Sequence, residues 1–183
     1  MIYLIISGVL FLIFAWIIMS YNQLVRLHSL VQEGWSGIDV QLKRRYDLIP
    51  NLVSVVKEYS IHEKNIINDI VQARAASMGT TNINNKEKAE LSLNSSLKTL
   101  FALVEQYPNL KANENFLALQ KELSSVEDEL QLARRYYNGA VRNYDINIVQ
   151  FPSSLIAKNF GFNSISYFEI TKTEERETPQ IKF

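Results

Sequence analysis

Hydrophobic and polar positions alternate in two different ways along this chain. The first is no alternation: Ile2–Ser20 reads IYLIISGVLFLIFAWIIMS, in which only Ser7, Gly8 and Ser20 are neither aliphatic nor aromatic. Met1–Val25 contains no Lys, Arg, Asp or Glu. At about 1.5 Å rise per residue a helix of that length approaches the ~30 Å hydrocarbon thickness of a bilayer. Tyr3 near one end and Trp16 with Tyr21 near the other suit the two water boundaries. A cleaved signal peptide would want a basic stretch before a shorter apolar run, with small residues at a cleavage site, and none of these is present. A buried core helix of this kind would overfill the core of so small a chain. The run predicts a transmembrane anchor over residues 1–21.

The second regime begins at residue 24. Leu24, Leu27, Val31, Trp35, Ile38, Leu42, Tyr46, Ile49, Val53 and Val56 recur every three or four positions, the stripe of a helix packed on neighbours. Pro50 interrupts the stripe, removing one donor and crowding the carbonyl of Tyr46. The stripe stays in phase across it and no turn residues flank it, so a long first helix kinked near Pro50 is expected rather than a reversal. That helix is expected to run out only at Met78-Gly79, ahead of the polar stretch Thr80–Asn85. A second helix carries Ala89, Leu93, Leu97, Leu100, Val104 and Tyr107 and stops at Tyr107-Pro108-Asn109. A third, capped by Asn113, carries Phe116, Leu119, Leu123, Val126, Leu130, Ala133, Tyr137, Ala140 and Tyr144, extending to Phe151 before Pro152. Glu122, Glu127, Asp128, Arg134, Arg135 and Arg142 fall largely off that seam, as a solvated face requires.

The fold class expected is all-α: an N-terminal transmembrane helix, then an antiparallel bundle of three to four helices packed near +20°. Residues 22–168 form the bundle domain. One short helical turn is expected after Pro152, with Phe160, Phe162, Tyr167 and Phe168 sealing one end. Residues 169–183 are polar and charged, without a face to bury, and read as a disordered tail.

Composition narrows the chemistry. The 183 residues include 19 Lys plus Arg, 19 Asp plus Glu and no Cys. A balanced charge disfavours nucleic acid as a partner, and the missing thiols exclude disulfides, thiolate metal sites and a cysteine nucleophile. The two histidines, His28 and His62, form no H-x-x-x-H or H-E-x-x-H pattern and read as structural or surface residues. Gly34 and Gly37 sit inside a helical stripe, where close helix packing explains them better than a phosphate loop does. The Glu-x-x-His of di-metal bundles is missing. No catalytic, cofactor-binding or metal-binding residue is assigned, no cofactor is implied, and the chain is read as a non-enzyme.

Lys43-Arg44-Arg45 cannot share one helical face, since successive residues turn by about 100°. One of these cations is expected to cover the seam with its stem while the others face water. Lys43, Arg44, Arg45, Phe160 and Phe162 are the candidate contacts for a protein partner or lipid. Arg26 and this basic run follow the span and no cation precedes it, favouring an outside N-terminus and a cytoplasmic bundle.

The stretches Tyr21–Val25 and Val31–Val53, the latter VQEGWSGIDVQLKRRYDLIPNLV, continued by Tyr107–Phe116, Ala133–Asn138, Phe151-Pro152 and Phe160-Gly161-Phe162, resemble the signature of the LemA family. The resemblance covers nearly the whole chain. It implies a bacterial membrane protein with an anchor and a helical bundle, and supplies no reaction; a relative is associated with magnetosome membranes, which points to membrane organisation. Gly34 and Gly37 depart from the family pattern, where alanine and a polar residue are more typical. The function expected is a non-catalytic membrane scaffold or adaptor that contacts the bilayer through residues 2–20 and a protein partner or its own copies. The alternative is a subunit of a membrane-bound enzyme complex whose site needs a partner chain, with Arg45, Asp47 and Arg134 as its polar residues.

Overall fold

We describe residues 1–60, 63–80 and 82–168 from a computed structural model. Among them every regular element is a helix: α1 (Ile2–Tyr59), α2 (Lys64–Met78), α3 (Ile83–Val104), α4 (Pro108–Lys111), α5 (Glu114–Val149) and α6 (Ser153–Phe160). The chain divides into two compact units. One comprises Met1–Gln41 with Asp128–Tyr167, the other Leu42–Glu127 with Phe168.

The unit built on Leu42–Glu127 is a four-helix antiparallel bundle made of the second part of α1, α2, α3 and the first part of α5. The direction of each helix follows from the pairs it makes. On α2, Arg74 reaches back to Tyr46 of α1 at 2.7 Å. Glu90 on α3 lies 3.1 Å from Arg45, and beyond the far end of α3 the Tyr107 hydroxyl donates to Glu63 at 3.3 Å. Along α5, Asn113 meets the Tyr59 hydroxyl at 3.0 Å and Glu127 reaches Arg45 at 3.3 Å, so α5 runs antiparallel to α1. Leu42, Ile49, Leu52, Ile70, Leu93 and Leu100 fill the interior. The expected cap on α5 forms: the Asn113 side-chain oxygen accepts the Phe116 N–H at 3.0 Å.

The helix expected to run to Met78 stops at Tyr59 instead. Ser60 closes α1, its N–H and its hydroxyl both donating to the Val56 carbonyl at 3.0 and 2.8 Å. Ile61 and His62, which include one of the two histidines read above as structural or surface residues, lie outside the described residues, as does the 169–183 stretch read above as a disordered tail. The break carries neither glycine nor proline, so the hydrophobic rhythm alone runs straight through it.

At Pro50 α1 does continue, as the phase of the stripe predicts. Proline has no N–H to give the carbonyl four residues earlier. That carbonyl belongs to Tyr46, and the Arg74 Nε–H donates to it at 2.7 Å. The proline ring faces solvent while a second helix supplies the missing donor. Arg74→Ala is therefore expected to cost about 1–3 kcal/mol by leaving this carbonyl unpaired. In a Pro50→Ala background, where the new N–H restores the helical bond, the same substitution should cost markedly less. A double-mutant cycle by urea unfolding measures the coupling, and simple additivity would separate Arg74 from the proline.

The other unit pairs the first part of α1 with the second part of α5. His28 packs on Tyr144 and Trp35 on Tyr137, each with ring centroids 5.7 Å apart, and the Tyr137 hydroxyl donates to the Ser166 carbonyl at 2.8 Å. Of the two glycines expected at close packing, only Gly34 has that role. A Cβ there would lie 2.9 Å from the Tyr137 Cα, whereas at Gly37 the nearest atom is the Ala133 Cβ at 4.0 Å. The seam of α5 ends short of its expected reach: the helix stops at Val149 and Phe151 is exposed. Helix α6 is longer than the single turn expected. Gly161, at φ 76°, reverses the chain after it so that the Phe162 N–H reaches the Ala157 carbonyl at 3.0 Å.

Candidate functional site

Two places concentrate features beyond ordinary packing. The first is a buried polar network in the four-helix unit. Along α3 the positions 86, 90, 93, 97, 100 and 104 keep a three-four rhythm, and the first two are Lys86 and Glu90, both buried. The Glu90 side chain is fully enclosed. One of its oxygens pairs with the Arg45 guanidinium at 3.1 Å and the other accepts the Tyr46 hydroxyl. Arg45 also donates to the Asn94 side-chain oxygen and lies 3.3 Å from Glu127 of α5. Three helices thus meet at one guanidinium.

Among Lys43, Arg44 and Arg45 the first two are exposed, and Arg45 buries its charged head as well as its stem. Glu127, expected on the solvated face, keeps a third of its side chain exposed while turning its carboxylate onto Arg45. Arg134, Arg135 and Arg142 belong to the other unit, where Arg135 and Arg142 are exposed and Arg134 is half-buried.

Burial, first, and then the hydrogen bond to Glu90 and its negative charge push the Tyr46 hydroxyl far above the usual tyrosine range; the neighbouring Arg45 charge and the Ser77 hydroxyl oppose the shift. In the unfolded chain Tyr46 ionises near pH 10, while in the folded bundle it stays neutral. Its contribution to stability is complete below about pH 10 and falls as the pH rises beyond that, by up to about 1.4 kcal/mol per pH unit. Urea unfolding at about pH 9 and about pH 11 should show a smaller alkaline loss for Tyr46→Phe than for the unsubstituted chain. Equal losses would remove Tyr46 from the alkaline response.

The second place lies where the apolar run of α1 ends. Leu24 of α1 and Ile156 and Ala157 of α6 form a buried cluster, with Trp16, Ile17, Ile148 and Phe162 packed against it. The Tyr21 ring lies 4.9 Å from Phe160 and 5.7 Å from Phe162, centroid to centroid. Gly161 makes this possible: its left-handed turn places Phe162 back against α1 while Phe160 stays largely exposed. The candidate contacts named from sequence thus divide, with Lys43, Arg44 and Arg45 in the Leu42–Glu127 unit and Phe160 and Phe162 in the other.

Sequence reasoning missed Glu90, Asn94 and Arg74, since a search for apolar positions skips polar and charged ones. The signal was present nonetheless, because counting back from Leu93 in steps of three and four lands on Glu90 and Lys86.

The model of the LemA family matches residues 34–183. The chain belongs to the LemA family. Protein LemA of Metamycoplasma hominis (strain ATCC 23114 / DSM 25592 / NBRC 14850 / NCTC 10111 / PG21) is 25% identical over 157 residues, covering 84% of this chain and 70% of that protein. Magnetosome protein MamQ of Magnetospirillum gryphiswaldense (strain DSM 6361 / JCM 21280 / NBRC 15271 / MSR-1) is 23% identical over 193 residues, covering 90% of this chain and 71% of its own. Magnetosome protein MamQ 2 of Paramagnetospirillum magneticum (strain ATCC 700264 / AMB-1) is 25% identical over 181 residues, with 85% of this chain and 66% of its own covered. In this LemA-family chain the matched region takes in the whole Leu42–Glu127 four-helix unit as well as α6.

Proposed function

We propose that this chain is a non-catalytic, single-pass membrane scaffold or adaptor, whose bundle is held at the inner face of a bacterial membrane to gather a protein partner or further copies of itself. The observation that carries the reading is that α1 runs without a break from the apolar run into the four-helix unit. The apolar run therefore tethers the four-helix unit covalently to a membrane surface, which suits a protein that organises others there. The MamQ relatives are magnetosome proteins, in keeping with a role in membrane organisation. The exposed Arg26, Lys43 and Arg44 follow the span, which supports a cytoplasmic bundle.

Mild crosslinking in intact cells, followed by purification of the full chain from solubilised membranes, is expected to return a defined protein partner or a discrete homo-oligomer. Recovery of uncrosslinked monomer alone would count against the scaffold. Because the chain has no cysteine, single cysteines at the exposed Ser29 and Ser124 should react with a membrane-impermeant maleimide only after permeabilisation. Labelling on intact cells would reverse the topology.

A further inference from the structure

The apolar run Ile2–Ser20 is long enough to cross a bilayer, but its last part is already occupied. Ile2–Phe14 is exposed throughout, whereas Ala15, Trp16 and Ile17 are half-buried and Ser20 is buried. Trp16 and Ile17 pack against the cluster that Leu24 forms with Ile156 and Ala157 of α6. The bare part of the span, Ile2–Phe14, covers about 20 Å at 1.5 Å per residue. Hydrocarbon is ~30 Å thick, so the remaining ~10 Å must come from the turns that α6 covers. Those turns enter the bilayer only if α6 enters with them.

The outer surface of α6 suits that position. Phe151, just before α6, and Leu155 within it are 77% and 53% exposed, and Val149 at the end of α5 and Phe160 at the end of α6 are 75% and 56% exposed. Lys158 and Asn159 are also exposed on this short helix, where a lysine stem can lie along lipid while its ammonium stays among headgroups. Tyr21 packs at a steep tilt against Phe160 and edge-on against Phe162, placing three aromatic rings where the span meets water.

We propose that α6, with the Val149–Pro152 segment before it, lies in the headgroup and upper acyl region of the leaflet through which α1 leaves the membrane, its exposed apolar face covered by lipid. This rests on the reading of Ile2–Ser20 as a membrane span. The occupant is the bilayer rather than a protein, because α6 is packed on Trp16 and Ile17 in the last turns of the apolar run and the bare span is too short without it. An amphipathic helix lying flat at the interface sinks by about 5–10 Å, which matches the shortfall.

Depth-dependent quenching tests it. Full-length protein with a single fluorophore-labelled cysteine at Phe11, Phe151, Leu155 or Arg135 is reconstituted into phosphatidylcholine vesicles containing a minority of phosphatidylglycerol. Quenching is read from lipids carrying a nitroxide near the top of the acyl chain and, separately, from a water-soluble nitroxide. Labels at Phe151 and Leu155 are expected to be quenched by the lipid nitroxide several-fold more than the label at Arg135, which α5 exposes to water. If Phe11 responds to the lipid quencher while Phe151 and Leu155 follow Arg135 in responding to the aqueous one, the interfacial helix is wrong and the span survives. If Phe11 itself is not quenched from lipid, the span falls and the inference falls with it. Protection of Phe151 and Leu155 from both quenchers would show a second copy covering the face, and would equally overturn the proposal. Both positions are exposed, so neither substitution removes a core contact, and agreement between them guards against a local disturbance.

Discussion

Glu90→Ala is expected to destabilise the four-helix unit by about 3 kcal/mol, read as a fall in the urea midpoint with little change in slope. The substitution removes a fully buried carboxylate and leaves the Arg45 guanidinium, itself almost wholly enclosed, with only Asn94 and the half-buried Glu127. A buried charge deprived of its partner costs far more than the pair contributed when intact, because its desolvation is no longer compensated. The surviving Glu127 contact places the loss at the lower end of the about 3–5 kcal/mol seen when such pairs are broken. Tyr46 loses its acceptor in the same step, adding an unpaired hydroxyl to the interior. Replacing the whole constellation gives the opposite expectation. Arg45→Met, Tyr46→Phe and Glu90→Leu together remove the buried charges and leave only the half-buried Asn94 and Glu127 to be hydrated in place of Arg45, and stability should return to within about 1–2 kcal/mol of the original. A triple variant no better than Glu90→Ala would mean that the three side chains fill a space which apolar groups cannot, and that the cost is one of shape.

The contrast between these two variants also bears on what could be foreseen. Apolar spacing carries most of the fold: the stripe on α1 from Leu24 to Val56 is buried at eight of its ten positions, with Leu27 and Trp35 half-buried, and the α5 stripe is buried or half-buried from Phe116 to Tyr144. The helix stop before Pro108 and the cap at Asn113 fell where local chemistry put them. The misses share one physical cause. Ser60 ends α1 with a side-chain hydrogen bond rather than with glycine or proline, and Glu90 holds a core position because a cation two helices away in sequence neutralises it. Each depends on a partner distant along the chain or on a side-chain bond, and neither leaves a mark on hydrophobic periodicity. Where the apolar run of α1 ends, the aromatics were visible in the sequence. Their seating on Tyr21 was not, because it requires the left-handed turn at Gly161 that folds Phe162 back onto α1.

Gly34→Val is expected to cost about 3 kcal/mol even though glycine is the poorer helix former. In an open helix the exchange of glycine for a residue with a Cβ gains up to about 1 kcal/mol by restricting the unfolded chain. At Gly34 a Cβ would stand 2.9 Å from the Tyr137 Cα and 3.3 Å from its Cβ, and the first of these atoms is backbone that no rotamer change can clear. Accommodation requires α1 and α5 to part within this unit. Separation loosens the ring contact between Trp35 and Tyr137, and with it the Tyr137 hydroxyl bond to Ser166. Gly37, one turn further along the same helix, supplies the control. It is exposed, its Cβ would meet only the Ala133 methyl at an ordinary 4.0 Å, and Gly37→Ala should stabilise by about 0.5–1 kcal/mol. Thermal unfolding of the two variants in detergent should therefore shift in opposite directions, with Gly34→Ala lying between them. Two glycines equally indifferent to substitution would mean that the helices do not approach at Gly34. A loss at Gly34 alone makes the glycine there a consequence of how closely Tyr137 packs against it.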